Sequence, residues 1–561
     1  MRGRGGDRTP GAVNAPLEQL GAVAGQYADR QVVAACRPGN HGVAAHVFSA
    51  VGAQAWSPAG GTQVWPEAAA RWSRASAAAD ADVDARNRRK VKIAMTIDVE
   101  VVATSSLGDR SYLAHDGQVA VVVDPQRDID RVLALAGRLG VRITHVVETH
   151  LHNDYVSGGL ALAKVTGAAY LVAAADAVAF HRVSVSGGDE ITVSAQLRLA
   201  VVATPGHTFH HLSYVLHGPS GPVGVFTGGS LLFGTTGRTD LLGKEHAHTL
   251  ALHQHASARR LADLLPDGAQ VWPTHGFGSF CSATQSDAPE STIGRERSAN
   301  PVLRLEADDF VITTLAGLDA YPAYYAHMGA RNADGADPID LTPVRPANAD
   351  ELRTRIAAGE WVVDLRSRKA FAHQHLTGTL SFGLDGPMST WLGWLAPWGA
   401  PITLLGESPQ QVAAAQRELA RIGIDRPAAA ATGSPQELAG GDASWLGELT
   451  TATFADLAAA YDGRPPHGLP APDVVLDVRM GNEWRAGHID GAVHLPLPDL
   501  PHRLDTVPDG AVWVHCGSGY RAAAATSLLV RAGRRVVHID DAYAGVAAEG
   551  LPTVTTDQEG S

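Results

Sequence analysis

The chain has 561 residues, which is more than one ordinary hydrophobic core requires, so the sequence predicts two to four domains. Hydrophobic residues make up 45% and charged residues 18% of the chain, as is typical of folded globular proteins, and no apolar run is long enough to span a membrane. The net charge is -13 without a dense basic stretch, which argues against nucleic acid or a membrane as the main partner.

The three cysteines, Cys36, Cys281 and Cys516, are widely separated. This spacing excludes a disulfide framework and favours a reducing, cytoplasmic location. The basic N-terminal stretch "MRGRGGDRTP" is not followed by an apolar segment, so we expect no secretory signal.

Residues 1–94 are rich in Ala, Gly, Arg and Ser, and neither helix nor strand periodicity is evident there. Such a composition predicts a disordered extension or a mis-assigned start. We expect Met95 to be the true start, because the strand-like alternation of "MTIDVEVVATS" begins there.

Short apolar strands alternate with helical patterns over residues 95–335. The stretches "QVAVVVDP" and "ITHVVETH" are predicted strands, whereas "DIDRVLALAGRLG" and "GGLALAKVTGAA" are predicted helices. Residues 302–332 are predicted to form a helical cover. Polar residues directly follow the strands, which is where layered α/β folds place their sites.

Four histidines follow predicted strands, namely His150, His152, His207 and His275, and Asp154 lies in the first of these segments. His150 and His152 alternate along extended backbone, so both imidazoles can face one point, with His207 arriving from another strand. Three imidazoles suit zinc or iron(II), so the pattern predicts a metal site. The alternative is that these histidines are unrelated surface or core residues.

The segments "THLHND", "TPGHT", "GRTD" and "THGFGS" resemble the metallo-β-lactamase superfamily, and within it the persulfide dioxygenase and glyoxalase II branch. The resemblance runs from about Met95 to Asn300 and implies an αββα sandwich. In persulfide dioxygenases, iron(II) is held by the first His of the motif, the "PGH" His and an Asp in a segment of the form FTGD. The resemblance therefore assigns His150 and His207 as ligands.

Two residues depart from the family pattern. Gly229 stands where the family has its ligand Asp, and Tyr155 replaces a histidine of the second metal site. A two-metal hydrolase is thereby disfavoured. We expect one metal ion, with Fe(II) favoured and Zn(II) as the alternative, and three outcomes stay open: His152 completes the site, Asp154 or His275 joins it, or the site binds no metal.

Arg238 is predicted to clamp the anionic group of a carboxylate-bearing thiol such as glutathione, because a guanidinium matches carboxylate geometry. The alternative role for Arg238 is a structural salt bridge. Cys281 is predicted to be a small buried packing residue.

Two later segments resemble each other, which indicates an internal duplication. The first, residues 342–437, contains "VVDLRS" and the second, residues 447–558, contains "VLDVRM". Only the second has a cysteine, so the first is predicted to be a non-catalytic copy that serves packing or dimerisation.

The stretch "VHCGSGYRAA" places Cys516 at the end of a strand and before an Ala-rich helix. Converging backbone N–H groups of such a turn favour a thiolate. The residues predicted to serve this site are the nucleophile Cys516, the anion-binding Arg521 and the loop residues Gly517, Ser518, Gly519 and Tyr520. A phosphatase loop is the competing interpretation, but it has five residues between Cys and Arg, and this loop has four.

This loop and the preceding "LDVRMGNEWRAGHIDGAVHLP" resemble rhodanese, a sulfurtransferase family. The resemblance implies that Cys516 accepts a sulfane sulfur and passes it on as a persulfide. The two resemblances together predict an enzyme of sulfur metabolism, in which a persulfide dioxygenase-like metal domain is coupled to a sulfurtransferase.

The expected partners of such an enzyme are small molecules: a thiol persulfide, thiosulfate or glutathione. The alternatives are a zinc thioester hydrolase of the glyoxalase II type, and a sulfurtransferase whose lactamase-like domain is not catalytic.

Overall fold

The computed structural model describes residues 31–33, 54–56, 97–284, 288–466 and 468–555. It divides into two compact units, Met1–Ala94 and Met95–Ser561. In the first unit, strand β1 (Gln31–Val33) pairs in parallel with β2 (Gln54–Trp56). The predicted disorder of residues 1–94 otherwise concerns residues outside the described part of the chain, as does the predicted start at Met95.

The second unit begins with a sandwich of two six-stranded sheets. The strands of the first sheet are, in spatial order, β3 (Asp98–Thr104), β4 (Asp109–His115), β5 (Val119–Val123), β6 (Arg142–Val147), β7 (Ala169–Ala173) and β8 (Val183–Val185). Those of the second are β9 (Glu190–Thr192), β10 (Arg198–Ala203), β11 (Leu212–Gly218), β12 (Gly221–Gly228), β13 (Gln270–Pro273) and β14 (Ser291–Thr292).

Helices cover both outer faces of the sandwich. Apolar residues of helices Asp130–Leu139 and Gly159–Thr166 pack on the first sheet, and those of helix Lys244–Leu264 pack on the second. A separate core between the sheets includes Tyr112 and Phe226. The predicted αββα sandwich is therefore confirmed, because each sheet buries one face on the other sheet and one face on helices.

The predicted helical cover over residues 302–332 is present as separate helices. After Ile293–Ala299 come Pro301–Arg304, Ala307–Gly317 and Tyr325–Asp334. Residues 318–324, which contain Pro322, separate the last two, and proline cannot continue a helix without losing a backbone hydrogen bond.

Two parallel sheets follow the sandwich. The first has the order β17-β15-β18-β19 and comprises β15 (Trp361–Asp364), β17 (Leu380–Ser381), β18 (Ile402–Gly406) and β19 (Ala429–Thr432). The second has the order β24-β22-β25-β26-β21 and comprises β21 (Thr451–Ala452), β22 (Val474–Asp477), β24 (Val493–His494), β25 (Ala511–His515) and β26 (Arg535–Ile539). The first four positions of the second sheet repeat the strand order of the first sheet.

The remaining elements surround these sheets. The helices are Ala349–Ala357, Arg368–His373, Met388–Leu395, Pro409–Arg421 and Pro435–Leu438 around the first sheet, and Phe454–Tyr461, Gly481–Ala486 and Tyr520–Arg531 around the second. Two short antiparallel pairs join β16 (His375–Leu376) to β20 (Leu446–Gly447) and β23 (His488–Ile489) to β27 (Thr553–Val554). No helix in the described ranges is long and apolar enough to cross a membrane.

We call residues 342–437 the cysteine-free module and residues 447–558 the cysteine module. One continuous apolar core contains residues of the sandwich and of both modules, among them Tyr155, Trp391 and Cys516. The three parts therefore share buried surface, and side chains of one part can shape the site of another.

Candidate metal centre and cysteine loop

The predicted metal ligands meet at one edge of the sandwich. His150 and His152 follow β6, His207 lies between β10 and β11, and His275 follows β13. All four imidazoles are at most 1% exposed. Buried polar groups need partners, so the contacts of each ring nitrogen decide which nitrogens remain available to a ligand.

His150 directs its Nε2 lone pair into the cluster. The Thr149 hydroxyl donates its proton to Asp124 Oδ2 at 2.8 Å. The hydroxyl oxygen of Thr149 therefore accepts from Nδ1–H of His150 at 2.9 Å. Burial, together with the neighbouring imidazoles, holds the pKa of His150 well below its usual range. The Nε2 atom is therefore unprotonated and can bind a cation.

His207 is oriented in the same way. Its Nδ1–H donates to the carbonyl oxygen of Arg238 at 2.8 Å, and its Nε2 has no hydrogen-bond partner among the described residues. Burial and the nearby His275 lower the pKa of His207 to about 3. A buried imidazole nitrogen without a partner is a fitting metal ligand.

His152 has the opposite orientation. Its Nε2 lies 3.0 Å from the Tyr155 hydroxyl and 3.3 Å from carboxylate oxygens of both Asp124 and Glu148. Burial alone would lower the pKa of His152, but the two carboxylates raise it to about 9. Its Nδ1 has no hydrogen-bond partner in the described part of the chain and is the atom left for a metal, which would displace a proton there.

His275 is held by two carboxylates. Its Nδ1 lies 2.9 Å from Asp109 Oδ1 and 3.1 Å from Asp154 Oδ2. Burial alone would lower the pKa of His275, but the carboxylates raise it to about 10. Its Nε2 lies 3.4 Å from Nε2 of His150. Because Nε2 of His150 is unprotonated and presents its lone pair, a proton or a cation is needed between the two nitrogens.

The ligand atoms form overlapping groups within 4.8 Å of one another. One group joins His150, His152 and His275, a second joins His207, His275 and Cys281, and a third joins His275 with the Asp109 and Asp154 carboxylates. His275 is common to these three, and a fourth group joins His152 with the Asp124 and Glu148 carboxylates. This arrangement fits a metal ion bound mainly by imidazole nitrogens, with carboxylates that orient the rings from behind.

The sequence patterns do not distinguish three further members of the site, Asp109, Asp124 and Glu148. Asp124 directly follows β5, a position at which α/β folds commonly place site residues. It is also the only non-glycine with a positive φ (50°) among the described residues. Such backbone is costly and concentrates at functional sites. Asp109 starts β4 on a different hairpin, and nothing in its sequence context distinguishes it.

Cys281 is fully buried, and its thiol belongs to one of the ligand groups. Burial raises the pKa of this thiol well above its usual range. Besides packing, as predicted, Cys281 therefore places a neutral sulfur beside His207 and His275.

The Arg238 guanidinium is engaged within the protein. It donates to Asp240 Oδ1 and Oδ2 at 2.7 and 2.8 Å and to the carbonyl oxygen of Asp319 at 2.6 Å. It also lines a cavity of about 300 Å³ together with Phe280 of the sandwich and Asn482 of the cysteine module. Its predicted role as an anion clamp stays a prediction, and in this structure Arg238 has the contacts of the alternative, a structural salt bridge.

The cysteine loop follows β25 as predicted. The backbone N–H of Gly519 donates to Cys516 Sγ at 3.2 Å, and Gly519 has a φ of 91°, which favours glycine. Helix Tyr520–Arg531 begins directly after it. The sulfur therefore lies at the N-terminal end of a buried helix, where backbone N–H groups and the helix dipole can stabilise negative charge.

Arg521 lies beside this sulfur. Its Nη2 donates to Glu483 Oε1 at 2.7 Å, and a Cβ on Gly517 would lie 3.0 Å from the same Nη2. Glycine at 517 thus permits the guanidinium to approach the loop closely. The arrangement suits an anionic sulfur donor at Cys516.

The cysteine-free module repeats the supporting contacts but not the loop. Arg366 bonds Asp364 and the carbonyl oxygen of Gln374, as Arg479 bonds Asp477 and the carbonyl oxygen of Gly487. In place of the thiol, the side-chain amide of Gln411 fills the turn: its oxygen accepts from the backbone N–H of Glu407 at 2.7 Å, and its nitrogen donates to the carbonyl oxygen of Leu365 at 3.1 Å.

Known proteins resemble both parts of the chain. Residues 110–268 match the metallo-beta-lactamase superfamily, and residues 457–549 match the rhodanese-like domain. The mitochondrial persulfide dioxygenase ETHE1 of Homo sapiens is 30% identical over 214 residues, which cover 38% of this chain and 76% of that protein. The chain belongs to the metallo-β-lactamase superfamily. Its fusion to a C-terminal rhodanese-like domain agrees with the predicted architecture.

Other members of the superfamily resemble it to a similar degree. A hydroxyacylglutathione hydrolase of Chromohalobacter salexigens is 30% identical over 210 residues, covering 33% of this chain and 78% of that protein. A crystal structure of a metallo-beta-lactamase from Staphylococcus aureus is 28% identical with a TM-score of 0.54, and the match covers 60% of this chain and 99% of that one. The longer match extends beyond the sandwich.

Gly229, which stands where the family pattern has its ligand Asp, lies directly against His207. A Cβ at Gly229 would lie 2.3 Å from Cδ2 of His207. The backbone N–H of Gly229 donates to Nε2 of His211 at 3.0 Å, which leaves that nitrogen of His211 unavailable to a metal. The position of His207 thus depends on glycine at 229, and the missing carboxylate ligand leaves the imidazoles as the main donors.

Proposed function

We propose that the protein is an enzyme of sulfur metabolism that oxidises a thiol persulfide at the histidine cluster and transfers sulfane sulfur at Cys516. The observation that carries the proposal is the cluster of four buried histidines, whose ligand atoms form two groups that share His275, together with a cysteine loop of rhodanese type. The similarity to a persulfide dioxygenase and the rhodanese-like C-terminal domain support the proposal.

At the histidine cluster, the residues that would hold the metal are His150, His152 and His275, which form one ligand group, with Nε2 of His207 as a further donor on the other side of His275. A bound iron(II) would supply the activation of dioxygen, and zinc(II) would be the alternative occupant. The overall change is RSSH + O₂ + H₂O → RSH + SO₃²⁻ + 2 H⁺. The carboxylates of Asp109 and Asp154 would fix the ring of His275, and the burial of the cluster would exclude bulk water.

At the cysteine loop, the Cys516 thiolate attacks the outer sulfur of thiosulfate. The S–S bond of thiosulfate breaks, sulfite leaves with the electron pair, and Cys516 becomes a persulfide. An acceptor thiolate or cyanide then takes the terminal sulfur and regenerates the thiolate. Arg521 would bind the anionic donor, and Gly519 N–H would stabilise the negative sulfur.

Glutathione is the proposed thiol carrier, and a reducing cytoplasm is the proposed location. One relative is a persulfide dioxygenase and another is a hydroxyacylglutathione hydrolase, and the second of these names contains glutathione. A reducing compartment suits Cys281 and Cys516, both of which are free.

A thioester hydrolase is the second candidate. Asp109, Asp154 and His275 form a compact acidic group beside the imidazoles, which would suit a second cation. Against it, Tyr155 and Gly229 remove two donors that a two-metal site uses. Uptake of oxygen with glutathione persulfide supports the dioxygenase, and cleavage of an acyl-glutathione without oxygen uptake supports the hydrolase.

The experiment for Cys516 is thiosulfate:cyanide sulfur transfer by the full chain. Cys516→Ser should abolish thiocyanate formation and leave the metal content unchanged. Cys281→Ser is the matched control, because its thiol lies at the other centre, and it should retain sulfur transfer. Transfer that persists in Cys516→Ser would show that another group is the nucleophile.

A further inference from the structure

The geometry points to Trp391 of the cysteine-free module as a positioning residue for Arg521 in the cysteine module. Under this inference the module without a thiol completes the donor-binding side of the Cys516 site. The inference rests on the proposed sulfur transfer only for its substrate, because the contact itself is observed in the structure.

Glu483 fixes the edge of the Arg521 guanidinium but leaves its faces free. Both terminal nitrogens bond the Glu483 carboxylate, and Nη2 would lie 3.0 Å from a Cβ on Gly517, the residue after Cys516. A bidentate ion pair fixes one edge of the planar guanidinium. The long arginine side chain is restricted further only if another group also packs on a face of that plane.

Trp391 packs on this guanidinium. The Arg521 Cζ atom lies 5.7 Å from the centroid of the Trp391 ring, within the range of a cation–π contact, and the tryptophan is 5% exposed. Trp391 belongs to helix Met388–Leu395, all of whose residues are buried. A buried indole cannot swing away, so it restricts where the guanidinium can go.

The indole is itself fixed by aromatic neighbours. Trp394 stacks on Trp391 with ring centroids 5.3 Å apart and an interplanar angle of 4°. Phe280 of the sandwich meets Trp391 edge-on at 5.7 Å. The ring that faces Arg521 is thus held by residues of the sandwich and of the cysteine-free module.

Further contacts attach the cysteine-free module to the same loop. The Tyr520 hydroxyl donates to the carbonyl oxygen of Gly383 at 2.9 Å, and a Cβ on Gly386 would lie 2.4 Å from the Tyr520 ring. Arg368 Nε donates at 2.6 Å to Oδ1 of Asp540, which follows β26 and lies beside Gly519 of the loop. The first copy has therefore lost its own thiol loop but contacts the thiol loop of the second.

A preorganised guanidinium binds an anionic donor more tightly, because less side-chain freedom is lost on binding. Loss of the Trp391 ring that packs on Arg521 should therefore weaken the binding of thiosulfate more than it slows the chemical step at Cys516. The expected signature is a raised KM for thiosulfate with a nearly unchanged kcat.

The test uses the full chain with Trp391→Leu, Trp391→Met and Trp391→Phe. The matched control is Trp361→Leu, since Trp361 lies in the same module and also faces an arginine, Arg531, at 5.7 Å, away from the cysteine loop. We expect Trp391→Leu and Trp391→Met to raise the KM for thiosulfate roughly tenfold. Trp391→Phe, which keeps a π face, and Trp361→Leu should remain near the wild-type value.

A second readout does not depend on sulfur transfer. The rate of alkylation of Cys516 by anionic iodoacetate, divided by the rate with neutral iodoacetamide, reports how well Arg521 attracts an anion. We expect this ratio to fall in Trp391→Leu and Trp391→Met but not in Trp361→Leu. Should Trp391→Leu fail to fold, Trp391→Met carries the same expectation.

Failure of the proposed function and failure of the positioning role of Trp391 would give different results. If the wild-type chain transfers no sulfur but the alkylation ratio falls as expected, the proposed function fails and the positioning role stands. If Trp391→Met and Trp361→Leu leave both KM and the alkylation ratio equally unchanged, or change them equally, Trp391 only packs and the inference is wrong.

Discussion

The backbone N–H of Val156 donates to the carbonyl oxygen of Arg421 at 2.7 Å. This bond joins the segment that carries His152 to the end of helix Pro409–Arg421 in the cysteine-free module. From the other side, the Asn332 amide donates to the carbonyl oxygens of His152 and Tyr155, both at 2.8 Å. The geometry of the histidine segment therefore depends on residues outside the sandwich.

The Asp128–Arg421 ion pair supports this junction, and its loss should destabilise the protein. Arg421 Nη2 lies 2.6 Å from Asp128 Oδ2, with side chains 7% and 0% exposed. Asp128→Asn would leave the buried Arg421 with Glu418 as its remaining counter-ion, and we expect a loss of about 3 kcal/mol in the free energy of unfolding. Denaturant titration of the full chain measures it.

The matched control for that variant is Asp462→Asn. The Arg464–Asp462 pair has the same kind of contact, 2.8 Å, but its side chains are 76% and 65% exposed. Its loss should change the free energy of unfolding by less than about 1 kcal/mol. Equal effects of the two substitutions would contradict a stabilising role for the buried junction.

Gly229→Asp restores the carboxylate of the family pattern but should not restore a ligand. The new Cβ would lie 2.3 Å from the ring of His207, so the ring or the strand must move. We expect metal content and thermal stability both to fall, with Gly229→Ala giving a similar loss. Higher metal content in Gly229→Asp than in wild type would show that the carboxylate is accommodated.

Removal of a central imidazole should remove the metal. His275→Ala and His207→Ala each delete a ring of the cluster, and we expect the metal per chain to fall at least tenfold, because each loss of a donor weakens a buried site strongly. His210→Ala is the control, since this exposed histidine pairs with Asp176 outside the ligand groups. Elemental analysis of the purified proteins decides between these outcomes.

His515 should make stability depend on pH. Burial lowers the pKa of His515 to about 4 from 6.5 in the unfolded chain, and neither ring nitrogen has a hydrogen-bond partner among the described residues. Between pH 6.5 and 4 the unfolded chain binds a proton that the folded chain does not, so stability falls as the pH falls. The loss should approach about 3 kcal/mol.

His515→Phe keeps a ring that can pack against Tyr543, whose ring centroid lies 5.6 Å away in the native contact. We expect this variant to show a flatter dependence of Tm on pH over the same interval. An unchanged slope would mean that other buried histidines account for it.

Sequence patterns predicted what is local. The strand ends located His150, His207 and His275, and the spacing from Cys516 to Arg521 predicted the turn before helix Tyr520–Arg531. These features depend on residues close together in the chain, or on a rule about where strands end.

Contacts between distant elements were not predictable in the same way. Asp109 meets His275 across 166 residues, and Trp391 meets Arg521 from another module. No periodicity or motif in the sequence indicates either contact, because each contact depends on how separate layers of the fold pack together. The closeness of Gly229 to His207 is also a property of the folded backbone alone.

The most direct test of the account is the metal content of anaerobically purified protein, measured together with oxygen uptake on glutathione persulfide. We expect near-stoichiometric iron and one dioxygen consumed for each sulfite formed, and we expect His275→Ala to lose both the iron and the oxygen uptake. Protein that binds no metal and consumes no oxygen, while Cys516 still transfers sulfur, would contradict it and leave the cysteine loop as the only catalytic centre.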